Sequence, residues 1–182
     1  MQVALHFALN DCPALFCSQE MPESDLMDRI TSLHARVPLG RVIRANEMTS
    51  DDYDRLTALA PQLLNTPLML DEQPSLTLMA VRNKVRKAAR QLGRLGLLVV
   101  DYLQLMVSEE SGQSRNAEIE QISRGLKQLA KECGMPVIAL SQLSRKCEER
   151  PNRRPLASDL RDSGAIEQDA DVILTLYRDA IY

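Results

Sequence analysis

The chain has 182 residues, of which 45% are hydrophobic, 26% are charged, 7 are Gly and 9 are Pro. This composition predicts one soluble globular domain and excludes a disordered, fibrous or collagen-like protein. The longest apolar run, 95–100, is far shorter than the roughly 20 residues that span a bilayer, and the net charge of -3 gives no overall attraction for nucleic acid.

Neither the first residues nor the cysteines indicate an extracellular protein. The opening MQVALHFALND lacks a basic segment followed by a small-residue cleavage site, so it does not resemble a secretory signal. The four cysteines have no CxxC spacing, which argues against a zinc site and a disulfide framework. We therefore expect a cytoplasmic protein.

Short apolar runs alternate along the chain with longer amphipathic stretches. The runs, each predicted to be a strand, occupy 14–17, 67–70, 97–100, 137–140 and 172–177. The amphipathic stretches, each predicted to be a helix, lie near 22–36 and 50–64 and over 75–92 and 116–132. Ser24 and the Ser50-Asp51-Asp52 run are expected to begin the first two helices. This alternation predicts an α/β fold with a mainly parallel sheet flanked by helices.

Polar side chains follow three of the predicted strands. Asp101 ends one apolar run, Glu20 follows another, and Gln142 follows a third. Ligands of open parallel sheets bind beyond the carboxyl ends of the strands, where Asp101 can hold Mg²⁺ and Glu20 can orient or deprotonate a water. Gln142 can contact a γ-phosphate. Each residue also has a simpler reading: a turn cap for Asp101, a helix cap for Glu20 and a backbone hydrogen bond for Gln142.

Four segments carry a family resemblance over essentially the whole chain. They are SQEMP at 18–22, LLVVDYLQLM at 97–106, VIALSQLSR at 137–145 and SDLRDSGAIEQDADVIL at 158–174. Together they resemble the RecA-like motor domain of DnaB-type replicative DNA helicases. The resemblance implies a RecA-like P-loop NTPase fold, truncated at both ends, in which residues 1–182 form one partial motor domain.

The resemblance also implies roles for the residues at the strand ends. Asp101 corresponds to the Walker B carboxylate that binds Mg²⁺, Glu20 to the glutamate that activates water, and Gln142 to the γ-phosphate sensor. ATP and Mg²⁺ are the implied cofactors. Hydrolysis is expected to drive 5′ to 3′ movement along single-stranded DNA in a homo-hexameric ring, with a primase and a helicase loader as partners.

A loop near the C-terminus is the expected DNA contact. In the family this loop holds single-stranded DNA in the central channel, and here it contains Arg161, Asp162 and Gly164. Arg161 can pair with a phosphate, and Gly164 allows the backbone to approach the strand. Asp162 stands where Glu is usual, which shortens the reach by one methylene.

Two features of the family are expected to lie outside these residues. None of the seven glycines is followed by Lys, so no G-x-x-x-x-G-K-[ST] phosphate loop can be written. The arginine finger is expected beyond the YRD segment at 177–179. We therefore expect a fragment that is inactive alone, the alternative being a non-catalytic remnant or interaction module that keeps the subunit interface. A recombinase-like or clock-like RecA ATPase is disfavoured by SQEMP and EQDAD.

Positive charge is concentrated in two places. The helix predicted over 75–92 and the residues just after it carry six basic side chains and no acidic one. This basic face is either a nucleic-acid-binding surface or a solvated surface. The apolar residues on the opposite side of the helix favour the solvated surface. The polar segment 144–158, predicted to be a loop, carries five more and is better placed to meet DNA: Arg145, Lys146, Arg150, Arg153 and Arg154.

Overall fold

Helices and strands alternate along the part of the chain that the computed structural model describes, residues 1–110, 112, 114–160 and 164–178. The helices are α1 (Gln2–Leu9), α2 (Glu23–Ala35), α3 (Leu39–Ile43), α4 (Ser50–Leu64), α5 (Leu78–Leu92), α6 (Arg115–Cys133) and α7 (Gly164–Asp169). The strands are β1 (Ala14–Ser18), β2 (Leu68–Asp71), β3 (Leu97–Asp101) and β4 (Val137–Ala139). Short 3₁₀ turns occupy Ala45–Glu47, Leu103–Leu105, Arg145–Glu149 and Ala157–Asp159.

The four strands form one parallel sheet in the order β2-β1-β3-β4. Ala14 lies opposite both Leu68 and Leu97, and Leu98 lies opposite Val137. Parallel neighbours need crossover connections, which the helices between the strands supply. The predicted α/β class with a flanked parallel sheet is confirmed.

The central strands are buried on both faces because alternate side chains enter two different hydrophobic clusters. Leu15 and Leu98 pack with residues of α5 and α6 on one face. Phe16 and Val99 pack with residues of α1 and α2 on the other. Successive residues of a strand point to opposite faces, so a continuous apolar run is what a sheet covered on both sides requires.

A glycine sets the close approach of the two helices on one face. A Cβ atom placed on Gly125 of α6 would lie 2.1 Å from Cδ2 of Leu78, the first residue of α5. No real Cβ atom approaches a carbon so closely. A methyl group at position 125 would therefore require the Leu78 side chain to move from its position in the α5–α6 contact.

The strand predicted over 172–177 is wrong. Within residues 164–178 the chain after α7 has no strand, and Val172, Leu174 and Leu176 are 74%, 85% and 89% exposed. A strand exists only where a neighbour receives its backbone hydrogen bonds, and the described sheet ends at β4. The apolar run alone could not supply that neighbour.

The acidic first turn predicted for α4 is present, but the N-cap of α4 is Thr49 rather than Ser50, and the start of α2 predicted at Ser24 is wrong. α4 begins with a capping box in which the Thr49 hydroxyl accepts the Asp52 N–H at 3.2 Å and the Asp52 carboxylate accepts the Thr49 N–H at 3.0 Å. α2 starts after Pro22 without a side-chain cap, and Ser24 lies inside its first turn.

Among the described residues, no helix is long and apolar enough to cross a membrane.

Candidate active site at the carboxyl edge of the sheet

The three candidate residues at strand ends lie at the same edge of the sheet. Ser18, two residues before Glu20, pairs in register with Asp101 because β1 and β3 are neighbours. β4 lies on the other side of β3, and Gln142 follows it by three residues. Glu20, Asp101 and Gln142 therefore all lie at the carboxyl edge of neighbouring strands, whereas their roles stay predictions.

The turn that carries Glu20 is held by its two preceding side chains. The Ser18 hydroxyl donates to the Met21 carbonyl at 2.8 Å and accepts the Met21 N–H at 3.0 Å. The Gln19 side chain is buried, with its amide donating to the Tyr102 carbonyl at 3.1 Å and accepting the Leu76 N–H at 2.9 Å. These contacts hold the turn from its buried side and leave the Glu20 side chain exposed at the carboxyl edge of the sheet.

The structure disfavours a helix-capping role for Glu20. The N–H of Glu23, the first residue of α2, donates to the carboxylate of Glu72 at 2.7 Å. Glu72 therefore supplies the negative charge that the start of the helix prefers. Glu20 remains available for another purpose at the rim.

Charge is concentrated around Asp101. Burial raises the pKa of its carboxyl above the ordinary value, the nearby charge of Glu20 raises it further, and the amino group of Met1 opposes both effects. A cation would stabilise the ionised form of a carboxyl whose ionisation is opposed by burial and by a neighbouring carboxylate, as it is for Asp101. The resemblance found in the sequence implies Mg²⁺ at this position, and the residues present would fit it, since hard cations prefer carboxylate oxygens and Mg²⁺ keeps several waters and substrate phosphates as further ligands. No cluster of three or more His, Cys, Asp or Glu side chains suited to a metal occurs in the described part of the chain.

The raised pKa predicts that the charge of Asp101 destabilises the fold. Because the carboxyl binds its proton more tightly in the folded than in the unfolded chain, ionisation at neutral pH lowers the free energy of unfolding. We expect Asp101→Asn to raise the urea midpoint of the purified chain at pH 7. The gain should shrink as the pH falls through the folded pKa, where Asp101 becomes neutral.

A second carboxylate at the same edge provides the control. Asp71 at the end of β2 forms an ion pair with Lys84 at 2.5 Å, and both side chains are mostly covered. Asp71→Asn removes this ion pair and should lower the urea midpoint, because the free energy of unfolding should fall by up to about 1 kcal/mol. If Asp101→Asn also lowered the midpoint, this result would contradict the prediction that the charge of Asp101 destabilises the fold.

Gln104 joins the loop after β3 to the loop after β4. Its side-chain amide donates to the Ser141 hydroxyl at 2.9 Å and its carbonyl oxygen accepts the Gln142 N–H at 3.2 Å. The Leu103 N–H donates to the Leu140 carbonyl at 2.9 Å. The backbone of Gln142 is thereby tied to the segment that follows Asp101, while its side chain is exposed.

The contacts by which Gln19 and Gln104 position the site were not predicted from the sequence. Gln19 follows an apolar run that ends a strand, and Gln104 stands between two leucines. A lone amide in such a position is the feature of the sequence that could have identified them. Their partners lie 37 to 83 residues away along the chain. Such pairings depend on the sheet order and are invisible in a local pattern.

The expected DNA-contact loop is only partly within the described residues. Arg161 and Asp162 lie outside them. Gly164 begins α7, and a Cβ atom placed on it would meet nothing within 4 Å. Packing inside the protein therefore does not require glycine at position 164.

The basic side chains are partly neutralised within the fold. On α5, Arg82 pairs with Glu132 at 2.7 Å and Lys84 with Asp71, which supports the solvated-surface interpretation of that helix. In the loop after β4, Arg150 pairs with Asp159. The expectation that Arg150 meets DNA is therefore weakened, because its charge already serves an internal contact.

The parallel sheet flanked by helices has the RecA-like α/β fold of the ATPase domain and the helicase that it resembles. The family model of the DnaB-like helicase C-terminal domain matches residues 1–182. The chain belongs to this family, which confirms the resemblance found in the sequence.

Relatives and solved structures agree with this assignment. The chain is 42% identical over 173 residues to the replicative DNA helicase DnaB of Leifsonia xyli subsp. xyli, covering 95% of this chain and 37% of the relative. It superposes with a TM-score of 0.93 on the ATPase domain of G40P, at 34% identity, covering 98% of this chain and 64% of that one. The TM-score is 0.92, again at 34% identity, for a DnaB-like replicative helicase whose structure was described with its interactions with primase, covering 98% and 43%. The chain thus spans well under half the length of the curated relative.

Proposed function

We propose that this chain is the motor domain of an ATP-dependent replicative DNA helicase. In this proposal, ATP hydrolysis drives 5′ to 3′ movement along single-stranded DNA in a homo-hexameric ring. The observation that supports it is that Glu20, Asp101 and Gln142 each stand at or just beyond the carboxyl end of one of three neighbouring parallel strands. A parallel sheet binds its ligands at that edge.

Each of the three side chains has a distinct task in the proposed reaction. Asp101 would hold Mg²⁺, which when bound neutralises charge on the phosphates. Glu20 accepts a proton from the attacking water, and its exposure at the rim and the capping of α2 by Glu72 leave it free to do so. Gln142 contacts the γ-phosphate, and Gln104 fixes the backbone from which it extends.

The DNA and protein partners follow from the family. We assign single-stranded DNA to Arg161, Asp162 and Gly164, with the Arg161 guanidinium on a phosphate. A primase is proposed as a partner on the precedent of the DnaB-like helicase described with primase. A helicase loader, the hexamer and a cytoplasmic location complete the proposal, with residues 1–182 as one partial motor domain.

On its own, the 182-residue chain is expected to hydrolyse no ATP above background and to unwind no DNA. Its sequence contains no G-x-x-x-x-G-K-[ST] loop, and the backbone N–H groups of that loop hold the phosphates in related enzymes. The measurement is steady-state ATP turnover by the purified chain. Robust hydrolysis would show that the chain binds ATP by some other means.

The matching experiment restores the rest of a helicase. We call this protein the Leifsonia chimera: it is the Leifsonia xyli replicative DNA helicase in which the residues of this chain replace the matching segment. We expect hexamers that hydrolyse ATP and are stimulated by single-stranded DNA. A well-folded hexameric chimera without hydrolysis would overturn the proposed function and favour the non-catalytic module.

A further inference from the structure

An arginine holds the turn that follows Asp101 by two backbone carbonyls. Arg115 is the first residue of α6, and its Nη2 nitrogen donates to the Gln104 carbonyl at 2.9 Å and to the Met106 carbonyl at 3.0 Å. Gln104 lies inside the 3₁₀ turn after β3, and Met106 directly follows that turn. The guanidinium therefore fixes the backbone where the chain leaves the carboxyl edge of the sheet.

Arg115 stands at the end of α6 that disfavours a positive charge. The N-terminus of a helix carries the positive end of the helix dipole, so basic side chains are stabilised at the opposite end. Glu118, in the first turn of α6, forms an ion pair with Arg115 and offsets part of this cost. The rest of the guanidinium contacts are with the two carbonyls before the helix. An arginine here is therefore explained by the turn that it holds and not by its place in α6.

The turn that Arg115 holds carries the residue that supports Gln142. Gln104 is bound through its backbone carbonyl by Arg115. With its side chain, Gln104 binds the Ser141 hydroxyl at 2.9 Å and the Gln142 N–H at 3.2 Å. A shift of the turn would carry the Gln104 side chain with it. The position of Gln142 at the candidate site thus depends on a chain of direct contacts that begins at Arg115.

We propose that Arg115 is a positioning residue for the proposed ATP hydrolysis. It fixes the turn from which Gln104 holds the backbone of Gln142. This inference rests on the proposed function and deepens it. Misplacement of a reacting or contacting group by about 1 Å can slow a reaction about 100-fold, even when the change is made far from the reacting atoms.

The test compares kcat and KM for ATP in variants of the Leifsonia chimera. Arg115→Ala should lower kcat at least about tenfold and leave KM within about twofold, because the nucleotide still binds while Gln142 is misplaced. The matched control is Glu118→Gln, whose amide oxygen can still accept a hydrogen bond from Arg115. This control removes the ion pair, leaves both carbonyl contacts in place and should change kcat by less than about twofold.

A double variant tests whether Arg115 acts through Gln104. If it does, Arg115→Ala combined with Gln104→Ala should slow hydrolysis by no more than about twofold beyond the slower of the two single variants. Residues that act independently have additive free energies, so their effects on the rate multiply. Multiplied effects in the double variant would overturn the route through Gln104.

The outcomes separate the positioning role from the proposed function. An unchanged kcat in Arg115→Ala would overturn the positioning role, and so would a fall in kcat with a large rise in KM, because general damage to the site explains that result. If Arg115→Ala forms no hexamers, the same criteria apply to Arg115→Lys, which keeps the charge on a shorter side chain. Loss of hexamers in both variants would overturn the role as well. If the unmodified chimera hydrolyses no ATP, the proposed function fails instead.

Discussion

Glu20→Gln is expected to slow ATP hydrolysis by the Leifsonia chimera at least about 100-fold and to leave ATP affinity within about twofold. Glutamine has nearly the same shape as glutamate but cannot take a proton from the attacking water. The Ser18 and Gln19 contacts that hold the turn do not involve the Glu20 side chain, so the turn should keep its geometry. Steady-state turnover and the binding of a fluorescent ATP analogue measure the two quantities.

A neighbouring carboxylate provides the control for Glu20. Glu72 is also exposed at this edge, but its carboxylate accepts the N–H of Glu23 at the start of α2. Glu72→Gln removes a negative charge of the same kind close by, and turnover should stay within about twofold because capping contributes to stability and not to proton transfer. Glu20→Gln with the unmodified rate would remove Glu20 from the mechanism.

Leu98→Ala is expected to lower the free energy of unfolding of the 182-residue chain by about 2–5 kcal/mol. Leu98 is completely buried in β3, with β1 and β4 on either side and the α5–α6 layer packed on its side chain. Truncation removes its burial and leaves a cavity that the surrounding sheet cannot easily close. Urea unfolding followed by circular dichroism gives the change in midpoint.

The matched variant for Leu98 is Leu174→Ala. Leu174 belongs to the segment wrongly predicted to be a strand and is 85% exposed, so its truncation should change the free energy of unfolding by less than about 0.5 kcal/mol. A cost as large as that of Leu98→Ala would mean that the segment 172–177 is packed after all. Equal and small effects at both positions would contradict the burial of β3.

The sequence predicted those parts of the fold that depend on local pattern. Continuous apolar runs identified β1 and β3 because both faces of these strands are covered, and the strand-end rule brought Glu20 and Asp101 to one edge. The run at 172–177 has the same pattern, but a strand also needs a neighbour, and a single sequence does not state which edges are filled. The support from Gln104 was unpredictable for a similar reason, since it depends on β3 and β4 being adjacent.

The contact between Gly125 and Leu78 limits where this protein can change shape. The Leu78 side chain of α5 packs where a Cβ atom of residue 125 would stand, so sliding or tilting α5 against α6 would disrupt this contact above the sheet. We therefore expect the α5–α6 layer to change shape less easily than the turns beyond the strand ends, where Glu20 and Gln142 lie.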